Sequence, residues 1–137
     1  MIINKQVFDI KHTRNTFQKL KILEYLRSVK SHPTAEAVYK EVIKQIPTIT
    51  LATVYRNLNT LAEQGEILRL EVNKEYRYDA CIDTHQHFIC EECGRVTDSF
   101  QEKISKYALQ NIQSKNFKVN KVNITFKGIC NKCSEVK

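Results

Sequence analysis

The sequence predicts an α+β protein in which a winged helix-turn-helix domain is followed by a smaller α/β domain. Three observations support this. Apolar residues follow a helical period from about Thr16 to Gln64, two short alternating segments come directly after Gly65, and the second half contains two C-x-x-C pairs. The chain of 137 residues suffices for two small domains, and we assign residues 1–80 to the first, 81–84 to a linker and 85–137 to the second.

Three amphipathic helices are predicted in the first domain. Their apolar stripes contain, in order, Phe17, Leu20, Leu23 and Leu26; Ala35, Val38, Tyr39, Val42, Ile43 and Ile46; and Leu51, Val54, Tyr55, Leu58, Leu61 and Ala62. Thr16, Thr34 and Thr50 each precede one stripe as N-cap candidates, and Gly65 follows the last stripe at the position of a helix C-cap. Pro47 leaves only a short link between the second and third helices, which is typical of a helix-turn-helix.

Strands are predicted after Gly65. Ile67–Val72 and Glu75–Asp79 form a hairpin through a turn at Asn73-Lys74, and a hairpin at this place makes the wing of a winged helix. The second domain is predicted to contain, in order, a strand over His85–Cys90, a strand over Val96–Phe100, a helix over Glu102–Ser114 with Ile104, Tyr107, Ala108 and Ile112 on one face, and a strand over Val119–Phe126.

Charge points to a polyanionic partner. The chain has 22 Lys and Arg against 15 Asp and Glu, and its first thirty residues contain seven basic residues and two acidic ones. This excess suits nucleic acid, although a solvated basic surface without a partner accounts for the charge equally well. No apolar run approaches the ~18 residues that span a bilayer. The N-terminus lacks the pattern of a secretory signal, so we expect no membrane partner and a cytoplasmic protein.

Four of the five cysteines form two pairs, Cys90 with Cys93 and Cys130 with Cys133. Two intervening residues allow one tight turn to present both sulfurs to a single ion, and two such turns complete a tetrahedral shell. The pairs therefore predict a structural Zn²⁺ site. Rubredoxin-like iron, redox-active pairs and buried free thiols are the alternatives. Cys81 stands apart and is expected to be a half-buried structural thiol.

Histidines and carboxylates form a second candidate site. His85 and His87 lie two residues apart in a predicted strand and therefore point to the same face. Asp79 and Asp98 lie at predicted strand ends, and His32 precedes a helix start. Nitrogen and oxygen donors suit Fe²⁺, Mn²⁺ or Zn²⁺ better than they suit a soft thiolate-binding ion. Sequence spacing alone leaves open whether these five residues meet.

Three runs, His32–Glu36, Ala52–Leu58 and His85–Gly94, resemble the ferric uptake regulator family in order and spacing. The resemblance covers nearly the whole chain. It implies a winged helix joined to an α/β dimerisation domain, and a homodimer that binds a pseudo-palindromic double-stranded DNA operator. It also implies structural Zn²⁺ at Cys90, Cys93, Cys130 and Cys133, and a regulatory Fe²⁺ or Mn²⁺ at His32, Asp79, His85, His87 and Asp98.

Within that family the chain most resembles the peroxide-responsive repressors, because Asp98 stands where iron-responsive regulators usually carry glutamate. This branch implies that Fe²⁺ reacts with hydrogen peroxide and that His32 and His85 are oxidised. The alternative within the family is an iron- or manganese-responsive regulator of metal uptake without peroxide sensing. An enzyme, either a small metal-dependent hydrolase or a peroxidase, is not expected, because no H-E-x-x-H helix or other catalytic signature is present. A metal chaperone or storage protein would leave the helix-turn-helix without a role.

The third helix, Leu51–Gln64, is the expected recognition helix. Its apolar stripe should face the core, which leaves polar side chains for DNA. The predicted DNA contacts are Thr53, Arg56 and Asn57, together with Tyr55, whose family counterpart contacts a thymine, and Arg14 and Lys19 for phosphate or the minor groove.

Overall fold

The computed structural model describes residues 16–135, which fold into two compact units. The first unit extends to Ile82 and the second begins at Asp83. The elements in order are α1 (16–28), α2 (Ala35–Val42), α3 (Leu51–Glu63), β1 (Leu68–Val72), β2 (Glu75–Asp79), β3 (Gln86–Cys90), β4 (Val96–Ser99), α4 (Glu102–Asn111), β5 (Ile124–Gly128) and α5 (Asn131–Glu135). Over the described range, no helix is both long enough and apolar enough to cross a membrane.

The first unit is a winged helix with a single apolar core. The core contains residues from α1, α2 and α3 and from the β1–β2 hairpin, and its fully enclosed side chains include Val38, Leu58 and Tyr78. The predicted stripe of α1 is wrong in its first turn, because Phe17 and Leu20 are each 48% exposed. The buried residues of α1 are Ile22, Leu23 and Leu26, so α1 enters the core about one turn later than the periodicity predicts.

Capping and turn residues confirm most of the predicted boundaries in this unit. The side-chain oxygens of Thr34 and Thr50 accept hydrogen bonds from the N–H groups of Ala37 and Thr53, each at 3.2 Å. Gly65 has a φ of +76° after the end of α3, a conformation that costs glycine little. The hairpin turns at Asn73 and Lys74, whose φ values of +52° and +67° give the backbone twist that two-residue hairpin loops require.

The second unit contains a three-stranded sheet in the order β4-β3-β5. β3 pairs antiparallel with β4 and parallel with β5, from Gln86↔Ile124 to Cys90↔Gly128. The predicted last strand, Val119–Phe126, is shifted in the structure because β3 begins only at Gln86. Among residues 16–135, therefore, residues 119–123 have no strand to pair with, while the ladder continues beyond Phe126 to Gly128.

α4 ends at Asn111 rather than at Ser114. The Asn111 side-chain amide donates to the Tyr107 carbonyl at 2.9 Å, and the next residue already has extended backbone angles. The predicted apolar face is only partly buried, because Ile104 and Ala108 are half-buried whereas Tyr107 and Ile112 are exposed. Ser105 is the buried residue of this helix. The short helix α5 was not predicted from the sequence.

The N-cap of the recognition helix provides a test of these boundaries. We expect Thr50→Ala to destabilise the winged-helix unit by ~1 kcal/mol, because the Thr53 N–H loses its acceptor, whereas Thr50→Ser keeps a hydroxyl oxygen there. Thermal unfolding followed by circular dichroism measures both variants. Equal stability of Thr50→Ala and the unaltered protein would show that the cap contributes nothing.

Candidate metal centres and DNA-binding surface

The four paired cysteines form one cluster in the second unit. The Sγ atoms of Cys90, Cys93, Cys130 and Cys133 all lie within 4.8 Å of one another, and none of them forms a disulfide. The Sγ atoms of Cys93 and Cys130 are 3.8 Å apart. A tetrahedron with Zn–S bonds of ~2.3 Å has a sulfur–sulfur edge of about 3.8 Å, so the cluster has the dimensions of a four-thiolate zinc shell.

Strand pairing brings the two cysteine pairs together. Because β3 and β5 are parallel, their carboxyl ends meet at one edge, and there the Glu91 N–H donates to the Gly128 carbonyl at 2.8 Å. The Cys130 N–H donates to Cys90 Sγ at 3.3 Å, which ties one pair to the other. Gly94 has a φ of +75° and its N–H returns to the Cys90 carbonyl, which closes the tight turn of the first pair.

Hydrogen bonds within the cluster alter the acidity of the thiols. Backbone N–H groups of Cys93 and Cys130 stabilise the Cys90 thiolate and lower the pKa of Cys90 to about 6. The backbone of Cys133 likewise lowers the pKa of Cys130. In contrast, the hydrogen bond with Cys130, followed by burial, raises the pKa of Cys133 to about 12. A metal cation that binds here displaces the remaining protons, as thiolate coordination requires.

Two histidines share one carboxylate in the second unit. Asp98 lies opposite His87 in the β3–β4 ladder, and its Oδ1 is 3.2 Å from Nε2 of His85 and 3.2 Å from Nε2 of His87. Nδ1 of His85 donates to the Asp83 carbonyl at 2.5 Å, so a neutral His85 directs the Nε2 lone pair towards Asp98. Two acceptors at this distance require a proton or a metal cation between them. Phe100 stacks on His85, with 4.8 Å between the ring centroids.

A second histidine–carboxylate pair lies in the first unit. His32 Nε2 is 3.3 Å from Asp79 Oδ2, and both side chains are buried, with 2% and 10% exposure. The other carboxylate oxygen of Asp79 accepts from the Cys81 N–H at 2.9 Å, so the aspartate is held by one oxygen and presents the other to the imidazole. Cys81 is half-buried, as expected. The five predicted regulatory ligands thus divide into two groups, one in each unit, and their convergence on one ion stays a prediction.

The recognition helix presents only part of its predicted DNA-contacting set. Arg56 and Tyr55 are exposed and Thr53 is half-exposed. Asn57 is 8% exposed, and its side-chain amide donates to Gln18 Oε1 of α1 at 3.3 Å, which indicates a packing role. Its contact with DNA stays a prediction. Lys19 is half-exposed on α1, and Arg14 lies outside the described residues.

Sequence reasoning missed an arginine that joins the wing to the recognition helix. Arg69 of β1 donates to Asn59 Oδ1 of α3 at 3.0 Å, and its guanidinium carbon lies 4.5 Å from the centre of the Tyr76 ring. No sequence motif predicts these contacts, because they join residues from three different elements.

A winged helix followed by a unit with four clustered thiols is typical of metal-binding transcription regulators. The family model described as "Ferric uptake regulator family" matches residues 11–127. The chain belongs to this family. The resemblance drawn from the motifs is confirmed, and with it the expectation that the protein is a regulator and not an enzyme.

Individual relatives agree with this assignment. The chain is 33% identical over 123 residues to the peroxide operon regulator of Bacillus subtilis, covering 89% of this chain and 85% of the relative. The crystal structure of the Campylobacter jejuni peroxide stress regulator superposes with a TM-score of 0.81 at 33% identity, covering 93% of this chain and 97% of that one. A zinc uptake regulator in complex with zinc and DNA superposes with a TM-score of 0.64 at 27% identity, covering 96% and 93% of the two chains.

The thiol cluster generates a direct test. We expect Cys93→Ser to lose bound zinc and to unfold the second unit, because zinc binding supplies on the order of 10 kcal/mol to small thiolate modules. Cys81→Ser is the matched control, since Cys81 lies outside the cluster. Atomic emission gives the zinc content, and calorimetry gives the unfolding profile. A Cys93→Ser protein with full zinc content and an unchanged profile would contradict the assignment.

Proposed function

We propose that the protein is a metal-dependent DNA-binding repressor that senses hydrogen peroxide through Fe²⁺-catalysed oxidation of its own histidine ligands. The observation that carries the proposal is the Asp98 oxygen that approaches the Nε2 atoms of His85 and His87 at 3.2 Å each. Two imidazoles and a carboxylate suit Fe²⁺ and Mn²⁺. The relatives named as peroxide regulators in Bacillus subtilis and Campylobacter jejuni support the same function.

The two candidate sites would have separate tasks. The four clustered thiols would hold a structural Zn²⁺, because soft thiolates in a closed tetrahedral shell favour zinc and leave no open position. The regulatory Fe²⁺ or Mn²⁺ would be held by His32 and Asp79 of the first unit and by His85, His87 and Asp98 of the second. One ion bound to ligands from both units would restrict the angle between them.

Metal binding would control DNA binding by linkage. A ligand shifts a conformational equilibrium only through its different affinities for the two states. An ion that binds all five ligands only in one arrangement of the units would favour that arrangement. In a homodimer it would set the spacing of two recognition helices, which must be ~34–36 Å apart to enter successive major grooves of a pseudo-palindromic operator. The protein would act in the cytoplasm, where its DNA target lies.

DNA contacts are assigned to both α3 and α1. Arg56, Tyr55 and Thr53 would contact base edges in the major groove, because they lie on the outer side of the recognition helix. Lys19 and Arg14 would contact phosphate or the minor groove. Asn57 would act indirectly, by holding α3 against α1 through Gln18. The direct contact of Asn57 with DNA stays a prediction.

Homodimerisation would use the second unit. Within the described residues, β5 lies at an edge of the sheet, where unpaired backbone groups favour pairing with another chain. Large apolar side chains are also exposed in this unit, including Phe100, Tyr107, Ile112 and Phe117. A monomer seldom leaves so many of these residues in water. The apolar face that α4 does not bury against its own sheet would then pack in the dimer.

Peroxide sensing would depend on the histidines themselves. When bound, Fe²⁺ supplies the redox chemistry that cleaves the peroxide O–O bond. One oxygen atom enters a ring C–H bond of His32 or His85 and the other leaves as water, so peroxide gains two electrons and the imidazole loses two. The oxidised ring would be a weaker donor to the metal ion. The ion would then be released, and the two units would no longer be joined through it. Asp98 would contribute by binding through one oxygen, which leaves a position open for peroxide.

Arg56 tests the assignment of the recognition helix. We expect Arg56→Ala to weaken binding to the operator by ~1–3 kcal/mol relative to random DNA, because a base-contacting guanidinium is lost. Fluorescence anisotropy at one fixed salt concentration measures both affinities. Unchanged discrimination between operator and random DNA would make Arg56 only a surface charge.

The peroxide mechanism is tested by comparing two metals in the same site. The Fe²⁺ form should lose operator binding after brief peroxide exposure, while a peptide containing His32 or His85 gains the mass of one oxygen atom. The Mn²⁺ form should keep DNA binding, because Mn²⁺ in the same shell is far less reactive towards peroxide. Asp98→Glu should keep metal-dependent binding but respond less to peroxide, because the longer carboxylate can occupy the open position.

Three other results of the peroxide experiment would contradict the proposed mechanism. Equal sensitivity of the Fe²⁺ and Mn²⁺ forms would defeat histidine oxidation as the mechanism. Metal-dependent binding that resists peroxide in both forms would favour the alternative, a metal-uptake regulator. Oxidation found on Cys90 or Cys93 with release of zinc would replace the mechanism by a thiol-based switch.

A further inference from the structure

The backbone at His32 is in a restricted conformation. Its φ of +53° lies in the left-handed region, which residues other than glycine rarely adopt. The following residue is Pro33, and a proline restricts the residue before it to extended conformations. Such a conformation persists only where surrounding contacts hold it in place.

β2 supplies these contacts through three successive residues. The Tyr78 N–H donates to the Pro33 carbonyl at 3.0 Å, so the segment lies along the outer edge of β2. Asp79 Oδ2 is 3.3 Å from His32 Nε2. Arg77 Nη1 donates to the His32 carbonyl at 3.4 Å, so the Arg77 side chain contacts the restricted peptide directly.

The guanidinium of Arg77 is half-buried and has few other polar partners. Its Nε is buried and has no hydrogen-bond partner in the part of the chain that the structure describes. Over the same residues, Arg77 forms no ion pair with a carboxylate, unlike Lys21 and Lys44, which pair with Glu24 and Glu41. A half-buried guanidinium without a carboxylate is poorly compensated for its lost hydration, so its position is not explained by stability alone.

We propose that Arg77 is a positioning residue for the regulatory metal site, which holds the His32 backbone so that the imidazole is preformed beside Asp79. The inference rests on the proposed function, since it treats His32 and Asp79 as metal ligands. Without Arg77, the His32 peptide is free to relax towards an extended φ. Metal binding then has to reorder this segment, which lowers the apparent affinity in proportion to the population of the competent state.

The test uses the full-length, zinc-loaded protein and three variants. Arg77→Met keeps a long apolar side chain and removes the hydrogen-bond donors. Arg77→Lys keeps the positive charge and an N–H donor, but its side chain is shorter. Arg27→Met is the matched control, because Arg27 is exposed on α1 and lies outside the hairpin. Circular dichroism confirms folding, and Arg77→Lys carries the comparison should Arg77→Met not fold.

Two measurements are made without DNA. Isothermal titration with Mn²⁺ should show an affinity at least about tenfold lower for Arg77→Met, the lower end of the effect of removing an outer-shell partner. Hydrogen exchange on the metal-free protein should show faster exchange of the Tyr78 amide, because its acceptor, the Pro33 carbonyl, is no longer held. Arg77→Lys should be intermediate in both, and Arg27→Met should match the unaltered protein.

The outcomes separate this inference from the proposed function. Unchanged Mn²⁺ affinity and unchanged Tyr78 exchange in Arg77→Met would overturn the positioning role. Unchanged Mn²⁺ affinity with weaker DNA binding at saturating Mn²⁺ would also overturn it and make Arg77 a phosphate contact. If Asp79→Asn binds Mn²⁺ as tightly as the unaltered protein does, the metal-site assignment fails. The exchange measurement still decides whether Arg77 holds the His32 segment.

Discussion

Parallel pairing of β3 with β5 is the interaction on which the second unit depends, because it brings both cysteine pairs to one end of the sheet. The hydrophobic core of this unit is small. In the described residues its buried hydrophobic side chains are Ile89, Cys90 and Val96, whereas the winged helix has a continuous core drawn from three helices and a hairpin. Units of this size need additional stabilisation, from a metal or from a partner subunit. The four-thiol cluster could supply the first, and the exposed apolar residues around α4, such as Tyr107 and Ile112, could supply the second.

The two donor sets differ in chemistry and in surroundings. The four thiols lie at the carboxyl ends of β3 and β5, and a closed four-thiolate shell is typical of structural zinc. The imidazoles of His85 and His87 share a single carboxylate oxygen, and nitrogen and oxygen donors are compatible with redox-active ions. In the proposed function, stability and response would depend on different ligands, so a change at the responsive site need not unfold the unit.

In the first unit, the β1–β2 hairpin contacts both functional regions. Arg69 of β1 contacts Asn59 on the recognition helix, whereas β2 holds the His32 segment through Arg77, Tyr78 and Asp79. The two strands are joined by a full ladder from Leu68↔Asp79 to Val72↔Glu75. The recognition helix and the His32–Asp79 pair are therefore connected by one hydrogen-bonded hairpin, which is also the wing.

Much of this protein was determined by local sequence. The N-caps at Thr34 and Thr50, the left-handed turn at Asn73-Lys74 and the C-x-x-C spacing depend on residues close together in the chain, so their physical chemistry could be deduced without a structure. The family and the fold followed from the same motifs. Tertiary structure decided which polar residues are buried and where strands begin. Asn57 has the spacing of a DNA-contacting residue, yet its amide is enclosed against Gln18, and β5 starts at Ile124 because its partner strand starts at Gln86. Arg77 acquired its contact with His32 across 45 positions of sequence, and a contact over that distance is set by packing rather than by any local pattern.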